Sequence, residues 1–179
     1  ATPGSRRVTA PEPGFARVLP DGRFLFEGRV LRCALGKGGV RGAREKREGD
    51  GATPAARMPL RRILFRADRG PPPRCAVAVE PIAPDDGWCD DPAHRLYNRA
   101  VRLPFDASHE TLWRADALYD VIGVLGWNDD PPERGRGSAI FLHVARDDYA
   151  PTEGCVALAP RDLRAVLEAG LRGVEVAAA

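Results

Sequence analysis

Residues 138–158 of the chain read S-A-I-F-L-H-V-A-R-D-D-Y-A-P-T-E-G-C-V-A-L, and they contain its most informative combination of features. The apolar run 138–143 ends in His143 and predicts a buried strand, while V-A-L at 156–158 predicts a short strand that returns beside it. The polar loop 144–154 connects the two. Because paired strands lie about 5 Å apart, we expect an imidazole on one strand to meet a sulfur beside the other.

The sulfur is that of Cys155, which follows Gly154 between a strand-like segment and a helix-like one. Cysteine attacks as the thiolate, and at its free pKa of about 8.5 only roughly 3% is ionised at pH 7. A histidine within hydrogen-bond reach, here His143, removes that limit. A buried cysteine and a hydrogen-bonded core histidine are the alternative interpretation, since the spacing of a Cys/His pair is weak support by itself.

Three segments follow one another along the chain: K-G-G at 37–39 with E-G-D-G-A-T-P-A at 48–55, G-W-C-D-D-P at 87–92 with Y-N-R at 97–99, and T-E-G-C-V at 152–156 after His143. In this order they resemble the YkuD-type L,D-transpeptidases, and together they cover roughly residues 28–169. That family has a G-K…T-P stretch, like the first segment, and a histidine that precedes an S/T-H-G-C-[IV] box, like the third. The second segment is similar to a compact branch of the same family.

Several positions depart from the family pattern. Glu153 stands where the family usually has a histidine, Ala157 where an arginine is frequent, and Val144 where glycine or serine is common. The spacing between the histidine and the cysteine is also shorter than usual. These changes affect the substrate pocket and the group that orients His143, whereas the nucleophile is retained.

The resemblance implies acyl transfer on peptidoglycan stem peptides. Cys155 would attack the carbonyl at the L-centre of the diamino acid, D-alanine would leave, and an amine of a second stem would resolve the thioester. With water as acceptor the same site would be an L,D-carboxypeptidase. A non-catalytic wall-binding module is a different class, and the presence of both Cys155 and His143 argues against it. Neither a metal nor an organic cofactor is required.

An acyl-transfer site also needs donors for the oxyanion and a group that orients the base. We expect the N–H of Cys155, with that of Gly154 or Glu153, to bind the oxyanion. A backbone carbonyl is the expected partner that orients His143, with the aspartates at 147–148 as alternatives.

Five residues are predicted to contact substrate, and most have an alternative role. Glu153 would bind a cationic amine or stabilise a turn, and Arg136 would hold a carboxylate or remain exposed. Tyr97 and Asn98 would line the cleft or anchor the long loop. Thr152, the first residue of the T-E-G-C-V segment, is also predicted to contact substrate.

The composition fits one domain that is mostly β. Its 179 residues are enough to bury about 70% of the unfolded surface. The 19 glycines and 17 prolines favour short strands and turns over a helical bundle. The resemblance implies a YkuD-like β-sandwich with one or two short helices. We expect residues 1–14 to form a flexible arm and residues 15–179 a single catalytic domain.

Individual elements follow from local patterns. A helix is predicted from Pro160 to Gly170, and a second over 109–114 with Ser108 as its cap. Residues 36–56 are predicted to be a long loop. Strands are predicted at 15–19, 23–26, 29–35, 62–66, 75–79 and 119–126, with a final edge strand at 174–176.

Charge and cysteine content limit the remaining classes of function. The net charge of +2 gives no reason to expect nucleic acid. Four cysteines without C-x-x-C spacing predict no zinc site, although a Cys75–Cys89 disulfide stays open. No run approaches the ~20 apolar residues that span a bilayer. We expect a monomer that is periplasmic or associated with the cell wall, its signal having been removed, with a cytoplasmic location as the alternative.

Overall fold

The computed structural model describes residues 12–179, so most of the predicted arm at 1–14 lies outside the described residues. The described chain is mostly β with one short helix, which confirms the predicted fold class. The elements are β1 (Phe15–Val18), β2 (Arg23–Phe26), β3 (Arg29–Ala34), β4 (Val40–Gly42), β5 (Thr53–Ala55), β6 (Arg57–Phe65), β7 (Val79–Pro81), β8 (Asp86–Cys89), β9 (Ala100–Arg102), β10 (His109–Thr111), β11 (Val121–Leu125), β12 (Phe141–Val144), β13 (Val156–Leu158), α1 (Pro160–Glu168) and β14 (Gly173–Val176).

A nine-stranded sheet carries the fold, in the order β11-β12-β13-β3-β2-β1-β14-β6-β7. Because β11 also pairs with β6, the sheet curls back on itself and encloses the main core. A smaller sheet, β10-β8-β9, lies against its outer face, where the Trp88 ring packs edge-on against Phe141 at 5.1 Å. These two layers give the predicted sandwich-like architecture.

The short helix α1 closes one side of the main core. Pro160 occupies its first turn, where the missing N–H costs no helical hydrogen bond. Leu163, Val166 and Leu167 repeat at helical spacing and are all buried. Gly170 follows with a φ of +93°, a conformation that ends the helix at low cost because glycine has no Cβ. The prediction of this helix is confirmed.

The predicted helix over 109–114 is wrong. Residues 109–111 form β10, in which His109 pairs with Cys89 and Glu110 with Trp88. The Ser108 hydroxyl donates to Asp90 Oδ1 at 2.6 Å instead of capping the following turn. Pairing with a strand twenty residues away therefore overrides the local capping signal.

Other local predictions need smaller corrections. The final strand β14 is not an edge, because it pairs with β1 on one side and β6 on the other. The predicted loop 36–56 contains the paired strands β4 and β5. The predicted strand at 75–79 is reduced to β7, which starts at Val79. Cys75 and Cys89 are both free thiols. Within residues 12–179 no helix is long and apolar enough to cross a membrane.

Strands β12 and β13 pair as predicted, but they run parallel, with Leu142 opposite Val156. Leu142 and Val156 face the main core, whereas Phe141 and Cys155 pack on the opposite face. Since alternate residues of a strand share a face, His143 points to the same side as Phe141. This register places the imidazole and the thiol on one face of the sheet.

Candidate active site

A cavity of about 420 Å³ opens on that outer face, and both Cys155 and His143 line it. Its floor comes from β12 and β13, and Glu110 of the smaller sheet forms part of a wall. The charged side chains that line it are Lys46, Arg114 and Arg146, with Glu48, Asp90, Glu110 and Glu153. The predicted nucleophile and base therefore share a polar enclosure large enough for part of a peptide.

Cys155 is buried, with only 7% of the residue exposed, and its thiol has two backbone partners. It donates to Ala139 O at 3.2 Å and accepts from Phe141 N–H at 3.3 Å. Burial raises the pKa of Cys155 to about 12, and the charge of Glu110 adds to the rise. In this structure the nucleophile is accordingly a protonated thiol.

The His143 ring is also buried, and its Nδ1 lies 2.9 Å from Val144 O. A carbonyl only accepts, so Nδ1 carries the proton and Nε2 is left as the basic nitrogen. Val144 O is thus a backbone carbonyl that orients the ring, as expected. Asp148, one of the alternatives, accepts a hydrogen bond from Ala150 N–H instead. Burial lowers the pKa of His143 to about 4, so the imidazole is neutral near pH 7.

The structure thus holds a neutral thiol and a neutral imidazole, and not the preformed thiolate that the sequence suggested. Among the described residues no hydrogen bond joins Cys155 Sγ to His143, because the sulfur is engaged by Ala139 and Phe141. His143 pairs with Ala157, and Cys155 stands two residues before Ala157. At about 3.3 Å per residue and about 4.8 Å between strands, an ideal parallel sheet puts the Cα atoms of 143 and 155 about 8 Å apart.

The turn before the nucleophile is held by Thr152. Its hydroxyl donates to Cys155 O at 2.7 Å and accepts from Gly154 N–H at 3.1 Å. Gly154 has a φ of +135°, and a Cβ there would lie 2.8 Å from Ala52 O. Only glycine fits this close approach and this backbone conformation without strain.

The first of the resembling segments packs against this turn. Gly36 forms a parallel bridge with Thr152, and Lys37 N–H donates to Thr152 O at 2.7 Å. The buried Thr53 hydroxyl accepts from Gly36 N–H at 2.9 Å. Gly38 N–H donates to Gly51 O at 2.9 Å, so the first segment is a backbone scaffold for the cysteine turn.

The predicted oxyanion donors differ in availability. Gly154 N–H already donates to Thr152, whereas Cys155 N–H donates to no acceptor within residues 12–179. Within residues 12–179, the N–H groups of Cys155 and Glu153 therefore remain available to a developing oxyanion, whereas that of Gly154 is engaged.

Glu153 lies at the cavity rim and pairs with Lys37, Nζ to Oε1, at 2.9 Å. The two side chains are 79% and 61% exposed, respectively, so the pair contributes little to stability. Arg136 was predicted to hold a substrate carboxylate or to remain exposed. It donates to Ala43 O at 2.6 Å and does not line the cavity.

Tyr97 and Asn98 are buried beside the cavity rather than in its lining. Tyr97 OH donates to Glu48 Oε2 at 3.0 Å and accepts from Gly137 N–H at 2.9 Å. Asn98 Oδ1 accepts from Ala139 N–H at 3.0 Å, which helps to hold Ala139 at its left-handed φ of +52°. Both residues thus position the segment whose carbonyl accepts the thiol proton.

Glu110 and Tyr119 were missed by the sequence interpretation. Tyr119 OH donates to Glu110 Oε1 at 2.9 Å, and the tyrosine ring packs edge-on against His143 with centroids 5.4 Å apart. One signal was available: with a period of two, E-T-L places Glu110 on the same face as Leu112, which is buried. Among the described residues, no group of His, Cys, Asp and Glu has a metal-binding arrangement.

Comparison with known proteins agrees with the geometry. The model of the YkuD family, the L,D-transpeptidase catalytic domain, matches residues 14–176 of 179. That family uses a cysteine nucleophile for acyl transfer or peptide cleavage and acts on peptidoglycan stem peptides. No curated protein and no solved structure matches significantly. Because the family match covers nearly the whole described chain, this protein belongs to the YkuD family of L,D-transpeptidase catalytic domains.

Proposed function

We propose that this protein is a peptidoglycan L,D-transpeptidase in which Cys155 forms a thioester with a stem peptide and transfers the acyl group to an amine. The observation that carries the proposal is that Cys155 and His143 line one cavity in a chain of this family. We propose the periplasm or the cell wall as its location, where such stems are found.

The first step moves a proton from Cys155 Sγ to His143 Nε2. The S–H rotates away from Ala139 O, and the Nδ1–H of the imidazole keeps its bond to Val144 O. Phe141 N–H remains a donor to the sulfur and stabilises the thiolate, since hydrogen bonds to a charged form favour it. General-base transfer of this kind contributes typically 10²–10⁴-fold.

In the second step the thiolate attacks the carbonyl at the L-centre of the diamino acid. A C–S bond forms, and Cys155 N–H donates to the oxyanion. When the tetrahedral intermediate collapses, the C–N bond to D-alanine breaks and His143 returns its proton to the leaving amine. An amine of a second stem then attacks the thioester, loses its proton to His143 and releases the thiol.

The remaining predicted residues take supporting roles in this proposal. Gly154 and Thr152 shape the turn and let the peptide approach the nucleophile. At the rim, Glu153 exchanges Lys37 for the amine of the second stem, the acyl acceptor. Tyr97 and Asn98 act through the backbone that they hold, beside the substrate rather than against it.

Arg136 is proposed to fix the loop that carries Ala43, because its Nη2 already donates to that carbonyl. Its predicted contact with a substrate carboxylate would require this bond to break. Arg146, which does line the cavity, is better placed to meet such a carboxylate.

L,D-carboxypeptidation is the alternative outcome of the same thioester, with water in place of the second amine. Incubation of the purified protein with defined tetrapeptide muropeptides, followed by mass spectrometry, separates the two reactions. Cross-linked dimers support transpeptidation, and tripeptide monomers alone support carboxypeptidation. Cys155→Ala is the matched negative control. If the wild type forms neither product, the proposal is wrong.

A further inference from the structure

Glu110 of β10 is a carboxylate in the cavity that the proposed steps do not use. Its Oε1 accepts from Tyr119 OH at 2.9 Å, and no group within residues 12–179 donates a hydrogen bond to Oε2. The side chain is half-buried and lines the same cavity as Cys155. Burial raises the pKa of Glu110, which means that its ionised form is poorly solvated there.

The charges around Glu110 do not neutralise it. Asp90 and Glu48 line the same cavity and add negative charge. Two cations of the lining are already paired: Asp116 holds the Arg114 guanidinium through two hydrogen bonds of 2.8 and 2.6 Å, and Asp50 holds Lys46 Nζ at 2.7 Å. This wall of the cavity therefore has an excess of negative charge in the absence of a ligand.

Glu110 is linked to the reacting groups by contacts as well as by charge. Tyr119, which it holds, packs edge-on against His143 at 5.4 Å and Phe141 at 5.9 Å. Phe141 N–H in turn donates to Cys155 Sγ. After burial, the negative charge of Glu110 is the largest contribution that raises the pKa of Cys155. Its negative charge thus opposes formation of the thiolate.

We infer that Glu110 binds an ammonium group of the acyl-donor peptide inside the cavity, and that this ion pair promotes ionisation of Cys155. The inference rests on the proposed function, because it names a specificity residue for the same donor. A peptide that carries a free amine at this point cancels the charge that restrains the thiol. A peptide without the amine leaves the thiol protonated, so the cavity couples recognition to activation.

The first test measures the thiol without any substrate. Glu110→Gln removes the charge, while its amide oxygen still accepts from Tyr119 OH, so the geometry is retained. Iodoacetamide labelling of Cys155 at pH 8, followed by peptide mass spectrometry, should be on the order of tenfold faster than in the wild type, as one pKa unit corresponds to tenfold in thiolate. Glu80→Gln, at an exposed carboxylate of β7, should label at the wild-type rate.

The second test measures recognition in the Cys155→Ala protein by calorimetry. The probes are the tetrapeptide stem, which carries meso-diaminopimelate before its terminal D-alanine, and its analogue acetylated at the side-chain amine. We expect the free-amine peptide to bind at least about tenfold more tightly, as for one charge-assisted contact worth ~1.4 kcal/mol. Adding Glu110→Gln should abolish this preference and leave the affinity for the acetylated peptide unchanged.

The outcomes separate the inference from the proposed function. Equal labelling in wild type and Glu110→Gln, or an equal loss of affinity for both peptides, would overturn the inference and leave the enzyme assignment standing. If neither peptide binds, the proposed substrate is wrong and the inferred ligand of Glu110 is wrong with it. Near-ultraviolet circular dichroism of each variant excludes unfolding as the cause.

Discussion

Lowering the pH from 7 to 5 should destabilise the folded protein through His143. Burial holds the pKa of this imidazole at about 4, against about 6.5 in an unfolded chain. Between these two values the unfolded chain binds a proton that the folded protein does not, so the free energy of unfolding rises with pH. The contribution of the neutral His143 imidazole to the free energy of unfolding is fully present above about pH 6.5 and is lost as the pH falls towards 4.

The size of this effect follows from the pKa difference. A shift of about 2.5 units corresponds to about 3 kcal/mol over the whole window, of which about 2 kcal/mol falls between pH 7 and pH 5. Because a typical domain is stable by only 5–15 kcal/mol, a loss of that size is measurable in a denaturation curve.

Urea unfolding at pH 7 and pH 5 provides the assay, with wild type, His143→Gln and Cys155→Ala compared. Glutamine does not titrate, so the difference between the two pH values should be smaller by about 2 kcal/mol in His143→Gln. Cys155→Ala keeps the buried imidazole and should keep the wild-type difference. If His143→Gln shows the same pH dependence as the wild type, the imidazole is not held neutral by burial and the resting state described above is wrong.

Three further predictions concern the nucleophile and its turn. Cys155→Ala should abolish product formation and leave the near-ultraviolet circular dichroism unchanged, whereas retained turnover would exclude Cys155 as nucleophile. Iodoacetamide labelling of wild-type Cys155 should rise about tenfold per pH unit from pH 7 to 9, because its pKa is raised to about 12; a plateau near neutral pH would show a preformed thiolate. Gly154→Ala should lower the free energy of unfolding by on the order of 2 kcal/mol or more and reduce turnover, since the new Cβ would meet Ala52 O at 2.8 Å; wild-type stability would contradict the close approach.

Local patterns were sufficient to predict the floor of the site. The apolar run that ends in His143 and the short run after Cys155 are strands, and they pair. Proline at position 160 marked the start of α1. These features depend on residues close in sequence, where periodicity and helix-start rules are most reliable.

The walls of the site depend on contacts distant in sequence. Glu110 enters the cavity because β10 pairs with β8, which overrides the cap suggested by Ser108. Glu153 at the rim pairs with Lys37, which lies 116 residues away in the sequence. The protonation of Cys155 is likewise a consequence of burial by several elements, and a sequence pattern carries no measure of that burial.

The resting pKa values place a physical limit on the mechanism. A proton transfer from the Cys155 thiol to the His143 imidazole is unfavourable in the resting cavity, because burial raises the pKa of the thiol to about 12 and lowers that of the imidazole to about 4. Attraction between the thiolate and the imidazolium that form recovers part of this cost. A bound substrate that cancels the charge of Glu110 lowers the cost further, because that charge opposes ionisation of Cys155.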